Sequence, residues 1–157
     1  MKPKPTFTDF FATVPPNLQP FIHEFHTDLA ERGCKTAFEL KKNGYVASYK
    51  HGKPPKALLN FIFRPKGMLT RIYGERISHY PDFLQTLPAD MLAHIQSAGD
   101  CGRLTQNTCS PKCTGYDFTI NGQHFQKCRY NCFEFLITEE SNPFIREFIT
   151  HELTARQ

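Results

Sequence analysis

The chain has 157 residues, enough for one domain of ordinary size, and its 39% hydrophobic and 22% charged residues are typical of a soluble globular protein. No apolar run approaches the roughly 18 residues of a membrane span, and the basic N-terminus leads into no apolar signal core, so the sequence predicts a cytoplasmic protein. The net charge of +4 is far below the basicity expected of a dedicated nucleic-acid-binding protein.

The first third of the chain predicts a tail and two helices. Residues 1–7 are rich in Lys and Pro and are expected to form a loose tail, after which Thr8 and Asp9 can cap a short helical turn. Asn17 is expected to cap a longer helix that stops at Gly33. The apolar residues that fall on one stripe of this helix are Leu18, Phe21, Ile22, Phe25 and Leu29.

A β-hairpin is predicted over residues 36–50. Its turn is placed at Asn43 and Gly44, the strongest two-residue turn signal. This turn pairs Phe38 with Tyr49 and sorts the side chains into one apolar and one polar face. The pattern indicates a sheet that is buried on one face and wet on the other.

Two apolar runs between residues 57 and 73 predict a second hairpin. Pro65 followed by Gly67 fits a three-residue loop with a glycine bulge. In that register Phe61 pairs with Arg71, so the guanidinium would share the aromatic face of the sheet.

The C-terminal half predicts further helices and a third hairpin. Residues 82–98 are expected to be helical, Asn121 and Gly122 form the next turn, and Ser141 caps a last helix. The order of elements predicts an α+β domain over residues 1–157. It would contain an antiparallel sheet of about six strands built from hairpins, three main helices and a zinc-binding loop.

Five of the six cysteines lie between residues 99 and 132, which predicts a cysteine-rich metal-binding region. Zinc favours four soft ligands in a tetrahedron. The loop with Cys109 and Cys113 can supply two ligands, and the third hairpin places Gly115 opposite Cys128, beside that loop. A cysteine on the flexible stretch after the preceding helix can complete the site. The predicted ligands of this structural zinc are Cys101, Cys109, Cys113 and Cys128.

Cys132 is the alternative fourth ligand. In a regular strand, residues four apart are separated by about 13 Å, so Cys128 and Cys132 could not share one ion, and His124 meets the same limit. A turn at Tyr130 and Asn131 would reverse the choice in favour of Cys132.

Arg71 is the residue outside the cysteine region that most strongly suggests a ligand. A guanidinium on an aromatic face needs a partner. The functional interpretation is a site for an anionic ligand in an aromatic-lined pocket, formed by Tyr49, Lys50, Arg71 and Tyr73. The alternative is a salt bridge to Glu75 or Asp82, or stacking on a ring.

The positive charge is concentrated in residues 35–76, which contain ten basic and two acidic side chains. Such a block can attract phosphate or another anion, or nucleic acid. The other interpretation is a solvated sheet face on which edge lysines prevent aggregation.

The run from Val14 to about Ala98 resembles the small YdhG-like α/β domains. The similarity lies in Val14-Pro15-Pro16-x-Leu18 before a helix, in the Lys-x-Asn-Gly hairpin, and in Leu-Pro before the second helix. Those domains are mostly of unassigned function, and one branch is described as an iron chaperone. The resemblance implies the fold of this stretch and transfers no functional residue.

The leading functional hypothesis is a zinc-stabilised domain that binds a small anionic or aromatic ligand or a protein partner. A nucleic-acid-binding zinc protein that uses the basic block is the alternative. A small enzyme also stays open, although no glycine-rich phosphate loop or nucleophile elbow is present. The cysteines could instead be buried free thiols, a redox pair or ligands of an iron–sulfur cluster, and Cys34 is expected to be an inert packed thiol.

Overall fold

The computed structural model describes residues 3–106, 108 and 114–157. Its helices are α1 (Phe7–Phe11), α2 (Gln19–Glu31), α3 (Pro81–Leu84), α4 (Ala89–Ser97), α5 (Gly102–Thr105) and α6 (Asn142–Arg156), with a 3-10 turn at Ile77–His79. Its strands are β1 (Lys35–Lys41), β2 (Gly44–His51), β3 (Lys56–Arg64), β4 (Gly67–Ile72), β5 (Tyr116–Ile120), β6 (Gln123–Lys127) and β7 (Glu134–Leu136).

The described strands form two antiparallel sheets. One has five strands in the order β1-β2-β3-β4-β7, and the other consists of β5 and β6. The predicted α+β class with an antiparallel sheet is therefore confirmed. The prediction of one sheet of about six strands is wrong, because β5 and β6 stand apart while β7 pairs with β4.

Helices α1 and α2 cover one face of the large sheet. The stripe predicted for α2 is buried as expected, and Gly33 follows the helix with a φ of +86°. Helix α1 begins one residue after Thr6, which forms a capping box with Asp9, so the cap is Thr6 rather than Thr8. Phe10 of α1 stacks on Phe61 of the sheet with ring centroids 6.2 Å apart.

The first hairpin has the predicted faces in a different register. Its two-residue loop is Lys42 and Asn43, so Lys41 pairs with Gly44 and Phe38 pairs with Ala47 instead of Tyr49. The difference from the predicted pairing is two residues, and an even shift leaves every side chain on its predicted face.

The second hairpin differs from the prediction by one residue, which moves side chains to the opposite face. Its loop has two residues rather than three, so Arg64 pairs with Gly67 and Phe61 pairs with Thr70. Arg71 pairs with Asn60 and lies on the face away from α1 and α2. The predicted pairing of Arg71 with Phe61 is wrong.

The third hairpin is confirmed in register and turn. Ile120 pairs with Gln123 around Asn121 and Gly122, which have positive φ of 51° and 81°. After β6 the chain makes a turn before β7 joins the edge of the large sheet.

Helix α6 packs beside β7 of the large sheet, where the rings of Phe148 and Phe135 have centroids 6.5 Å apart. Phe148 contacts Phe133 with ring centroids 5.0 Å apart, and Phe133 contacts Phe118 of the small sheet at 5.6 Å. Aromatic side chains thus fill much of the core that connects the layers. None of the described helices combines the length and the apolarity that crossing a bilayer requires.

Candidate functional site

The structure does not bring the four predicted ligand-binding residues together. Tyr49 is fully buried under α2, where its hydroxyl lies 2.8 Å from Nδ1 of His26. Burial raises the pKa of the Tyr49 phenol above its ordinary value. Lys50 is exposed near the end of β2, while Arg71 and Tyr73 belong to the opposite face of the sheet.

Arg71 is neutralised within the protein. Its Nε and Nη2 atoms donate to Oε2 of Glu134 at 3.1 and 3.0 Å, and both side chains are largely buried. Burial alone would lower the pKa of Arg71, but the hydrogen bonds to Glu134 and Tyr73 raise it. The salt-bridge interpretation of Arg71 is therefore right in kind, although the acid is Glu134 and not Glu75 or Asp82.

Tyr73 is part of the same paired cluster. Its hydroxyl accepts a hydrogen bond of 3.1 Å from Asn60, and Arg129 lies over its ring at 5.2 Å. Arg129 in turn binds Oε1 of Glu75 at 2.6 Å. We call Arg71, Tyr73, Arg129 and Tyr130 the arginine–tyrosine cluster; its charges are compensated by two glutamates.

A second basic region lies at the end of the large sheet that carries the loop between β2 and β3. The loops after β1 and β3 lie at the other end. The loop between β2 and β3, the residues after β4 and the end of α6 surround a cleft of about 370 Å³, a size found for small-molecule sites. The side chains that give it its charge are Lys53, Lys56, Arg76 and Arg156, with His51 and Glu75 also in its wall. We call this the basic cleft.

Two of the charged groups in the basic cleft already have partners. Arg156 Nε donates to Oε2 of the fully buried Glu152 at 2.6 Å, and Arg156 Nη2 donates to the carbonyls of Ala57 and Tyr73 at 2.8 and 3.1 Å. Glu75 is bound by Arg129. The exposed charge of the cleft therefore comes from three side chains, none of which forms a salt bridge among the described residues: Lys53, Lys56 and Arg76.

The wall of the basic cleft also contains an unsatisfied polar atom. Nδ1 of His51 is buried and has no hydrogen-bond partner within the described part of the chain. Buried polar atoms are normally bonded to protein, water or a ligand. The atom has almost no exposed surface, so it is a feature of the wall and not a contact for a ligand.

Sequence reasoning missed the basic cleft because its residues come from three separate elements. Lys53 and Lys56 flank two prolines in a single loop, and this local signal was available. The loop meets Arg76 and Arg156 only through the order of the strands and the position of α6. A basic loop between two strands is ordinarily solvated, so its sequence alone does not indicate a binding site.

Two of the predicted zinc ligands lie close together in the chain fold. Asp100 pairs with Lys127, Cys101 N donates to Gln126 O at 2.8 Å, and Cys128 N donates to Gly99 O at 2.9 Å. The buried Lys127 Nζ also binds the carbonyls of two residues at the end of α4, Gln96 and Ala98, at 3.0 and 2.8 Å. Cys101 and Cys128 are thus held on neighbouring, anchored segments.

Gly115 packs directly against Cys101. A Cβ atom at Gly115 would lie 2.4 Å from Sγ of Cys101, so only glycine fits against the buried thiol. The predicted ligands Cys109 and Cys113 lie outside the described residues. In the part that is described, no group of three or more His, Cys, Asp and Glu side chains is placed to hold a metal ion.

The distance argument against Cys132 is wrong. The segment from Cys128 to Cys132 is a turn and not a strand, since Cys132 N donates to Cys128 O at 3.1 Å. One such turn brings residues four apart much closer than a strand does. Cys132 is fully buried, and burial raises the pKa of its thiol.

The remaining residues of interest have local roles. His124 Nε2 lies 2.6 Å from Asp117 on the exposed face of the β5-β6 hairpin. Cys34, Cys101, Cys128 and Cys132 are free thiols, and burial raises the pKa of Cys34. A raised pKa keeps the Cys34 thiol protonated and weakly nucleophilic, as the packed-thiol interpretation requires.

Comparisons with known proteins leave these sites to be interpreted from their chemistry: no family model, curated protein or solved structure matches the chain.

Proposed function

We propose that this protein is a binding domain whose basic cleft holds a small anion bearing phosphate or several carboxylates. The observation that carries the proposal is the convergence of Lys53, Lys56 and Arg76 on one cleft without carboxylate partners among the described residues. By contrast, the arginines of the arginine–tyrosine cluster are already bound to glutamates.

The proposal rests on the electrostatic repulsion between the like charges of the basic cleft. Three cations around a concave surface repel one another and raise the local concentration of counter-ions. A polyanion relieves the repulsion and forms several charge-assisted hydrogen bonds at once. Arg156 contributes a rigid wall, because its guanidinium is fixed by Glu152 and by backbone carbonyls.

Calorimetric titration with pyrophosphate tests the proposal. We expect binding to the wild-type chain at low ionic strength, and we expect the Lys53→Gln/Arg76→Gln double variant to weaken it by about tenfold, because each lost charge contact contributes up to about 1 kcal/mol. Citrate in place of pyrophosphate distinguishes a requirement for phosphate from a general need for negative charge.

A matched control is available at the other end of the sheet. Lys42 and Lys66 are exposed in the loops after β1 and β3, so Lys42→Gln/Lys66→Gln removes the same charge far from the basic cleft. This control should bind pyrophosphate as the wild type does. Absence of binding to the wild type, or equal weakening in both double variants, would overturn the proposal.

The structural zinc remains part of the proposal. Its support is that Cys101 and Cys128 lie on neighbouring anchored segments and that Gly115, which follows the segment with Cys109 and Cys113, packs on the Cys101 sulfur. The turn between Cys128 and Cys132 supports Cys132 as the alternative to Cys101 for the fourth ligand. The proposal includes a cytoplasmic location, because a reducing compartment keeps cysteines available as metal ligands instead of disulfides.

Metal analysis tests the zinc proposal. We expect about one zinc per chain and strong loss of zinc in Cys128→Ser. Zinc should also be lost in Cys101→Ser or in Cys132→Ser, according to which is the fourth ligand, and retained in Cys34→Ser. Protein purified without chelator and free of zinc would refute the structural zinc without affecting the basic cleft.

The nucleic-acid alternative stays a prediction. The basic block of residues 35–76 is divided in the structure, with Lys42 and Lys66 at one end of the sheet and the basic cleft at the other. Arg71 is bound by Glu134. Binding of an oligonucleotide that falls steeply with added salt would favour this alternative.

A further inference from the structure

In the part of the chain that the structure describes, no strand pairs with the outer side of β1 in the five-stranded sheet, and we call this side the free edge of β1. This strand pairs with β2 along its whole length and is the last strand of the sheet on that side. A two-residue loop joins Lys41 and Gly44, so these two residues exchange both main-chain hydrogen bonds. Bonded and non-bonded pairs alternate along an antiparallel ladder. The N–H and C=O groups of Thr36, Phe38 and Leu40 therefore point to the free edge.

A groove runs along this edge. Its volume is about 790 Å³, and its opposite wall is the segment from Lys4 to Phe7. Among the described residues, no main-chain hydrogen bond joins that wall to Thr36, Phe38 or Leu40 of β1. Donors and acceptors on an unpaired edge of this kind are a template for one more strand.

The groove offers an apolar contact as well as a backbone edge. The Phe7 ring lies in its wall, stacked on His26 with centroids 3.7 Å apart. Leu40 is 66% exposed, the highest value among the exposed large hydrophobic residues described. An aliphatic or aromatic side chain of an added strand would cover both.

The charge around the edge selects an acidic occupant. Lys4 lines the groove, Lys35 begins β1 and Lys42 follows its end, and all three are exposed. The acid on this strand, Glu39, is already bound by Lys41 at 2.7 Å. A negatively charged segment would thus meet lysines that form no salt bridge within the described part of the chain.

A second copy of this chain fits the edge less well. If β1 paired antiparallel with β1 of another copy along its whole length, the two Phe38 residues would lie opposite each other. Lys35 of each copy would then lie opposite Lys41 of the other. Like charges directly opposite each other destabilise a sheet. Lysines on edge strands commonly prevent such self-pairing.

We propose that the free edge of β1 binds an extended, acidic peptide segment of a partner protein as a sixth strand. Main-chain bonds from Thr36, Phe38 and Leu40 would hold about five residues of the segment. One apolar side chain of the segment would cover Phe7 and Leu40. This binding site is separate from the basic cleft and does not depend on an anion there.

Fluorescence anisotropy with labelled, end-blocked peptides of alternating Asp and Val tests the proposal. We expect the acidic peptide to bind and a peptide with Lys in place of Asp to bind at least about tenfold more weakly. Thr36→Pro removes an outward N–H without removing a bond to β2, and proline is tolerated at such edge positions. We expect this variant to lose about tenfold in affinity and Thr36→Val to bind as the wild type does.

Amide hydrogen exchange gives an independent readout on unmodified protein. Bound peptide should slow exchange at Thr36, Phe38 and Leu40, whose N–H groups face the edge, and leave Ala37 and Glu39 unchanged because they are bonded to β2 already. Lys53→Gln/Arg76→Gln should retain peptide binding. Equal binding of acidic and basic peptides, no protection at the three amides, or dimerisation of the chain through this edge would overturn the proposal.

Discussion

The arginine–tyrosine cluster and the basic cleft are both rich in positive charge, but only the first is neutralised within the fold. In the cluster, Arg71 binds Glu134 and Arg129 binds Glu75, with nitrogen–oxygen distances of 3.0 and 2.6 Å. In the cleft, Lys53 and Arg76 are exposed and form no salt bridge among the described residues.

This difference separates charges that hold the fold from charges that are available to a ligand. A buried arginine must be paired, because removing its partner leaves an uncompensated charge in a medium of low dielectric constant. An exposed lysine keeps its water and costs little when it is unpaired. The sequence shows the same residue types in both places, so pairing and burial decide their roles.

Glu152→Gln should have the largest effect on stability. Glu152 is fully buried at the border of the basic cleft, where it accepts hydrogen bonds from the Tyr80 hydroxyl, from Arg76 N and from Arg156. The substitution leaves the guanidinium of Arg156 without its counter-charge, and we expect the free energy of unfolding to fall by about 3 kcal/mol. Urea denaturation measures the loss.

Glu147→Gln is the matched control for Glu152→Gln, since it makes the same change on the exposed side of α6. The side chain of Glu147 is 55% exposed and lies 3.8 Å from His151. We expect its free energy of unfolding to change by less than about 0.5 kcal/mol. Equal effects of the two substitutions would show that burial does not distinguish the paired charges.

Glu134→Gln should be the next most damaging change. It removes the counter-charge of Arg71 but keeps an oxygen that can accept a hydrogen bond, and the pair is partly accessible to water. We therefore expect a loss of about 1–2 kcal/mol in the free energy of unfolding. The exposed Glu140→Gln serves as control, and a Glu134 variant as stable as this control would contradict the structural role of the pair.

The register of the second hairpin explains why the sequence predicts the wrong surroundings for Arg71. The sequence predicts the glycine inside the turn in all three hairpins, because each glycine follows a polar residue. Gly122 does lie there, next to Asn121 with a φ of 51°, but Gly44 and Gly67 open the next strand with φ of +126° and +135°. The odd shift at Gly67 turned Arg71 away from the aromatic face, whereas the even shift at Gly44 changed no face.

The spacing of apolar and turn residues predicts those features of the fold that depend on residues close together in the sequence. The buried stripe of α2 and the register of the third hairpin are confirmed, because each follows from neighbours in the sequence. The partner of Arg71 is 63 residues away and the basic cleft joins three elements. Such long-range contacts depend on the order of strands, and no local pattern specifies that order.

A smaller effect concerns the pH dependence of stability at the groove beside β1. Burial and the neighbouring His23 lower the pKa of His26 below its ordinary value of 6.5. The unfolded chain therefore binds more protons than the folded one near pH 6.5, so this residue makes stability rise as the pH increases through that region and fall below it.

Urea denaturation at pH 8 and pH 5.5 checks this sign. We expect the decrease in the free energy of unfolding on acidification to be smaller in His26→Gln than in the wild type, and unchanged in the control His79→Gln, which replaces an exposed histidine. The pKa values of Glu39 and Asp117 are lowered too, so both carboxyl groups titrate below this interval. A steeper loss in His26→Gln would reverse the sign.

The smallest expected effect on stability belongs to the basic cleft itself. Lys53→Gln/Arg76→Gln removes two exposed charges that repel each other, so the free energy of unfolding should change by less than about 0.5 kcal/mol, and in the direction of greater stability. Pyrophosphate should raise the melting temperature of the wild type, because a ligand that binds only the folded state stabilises it, and should raise that of the double variant much less. A destabilised variant would show that Lys53 or Arg76 holds the fold as Arg71 does. A stable variant that no longer responds to pyrophosphate would leave ligand binding as the role that separates the cleft from the arginine–tyrosine cluster.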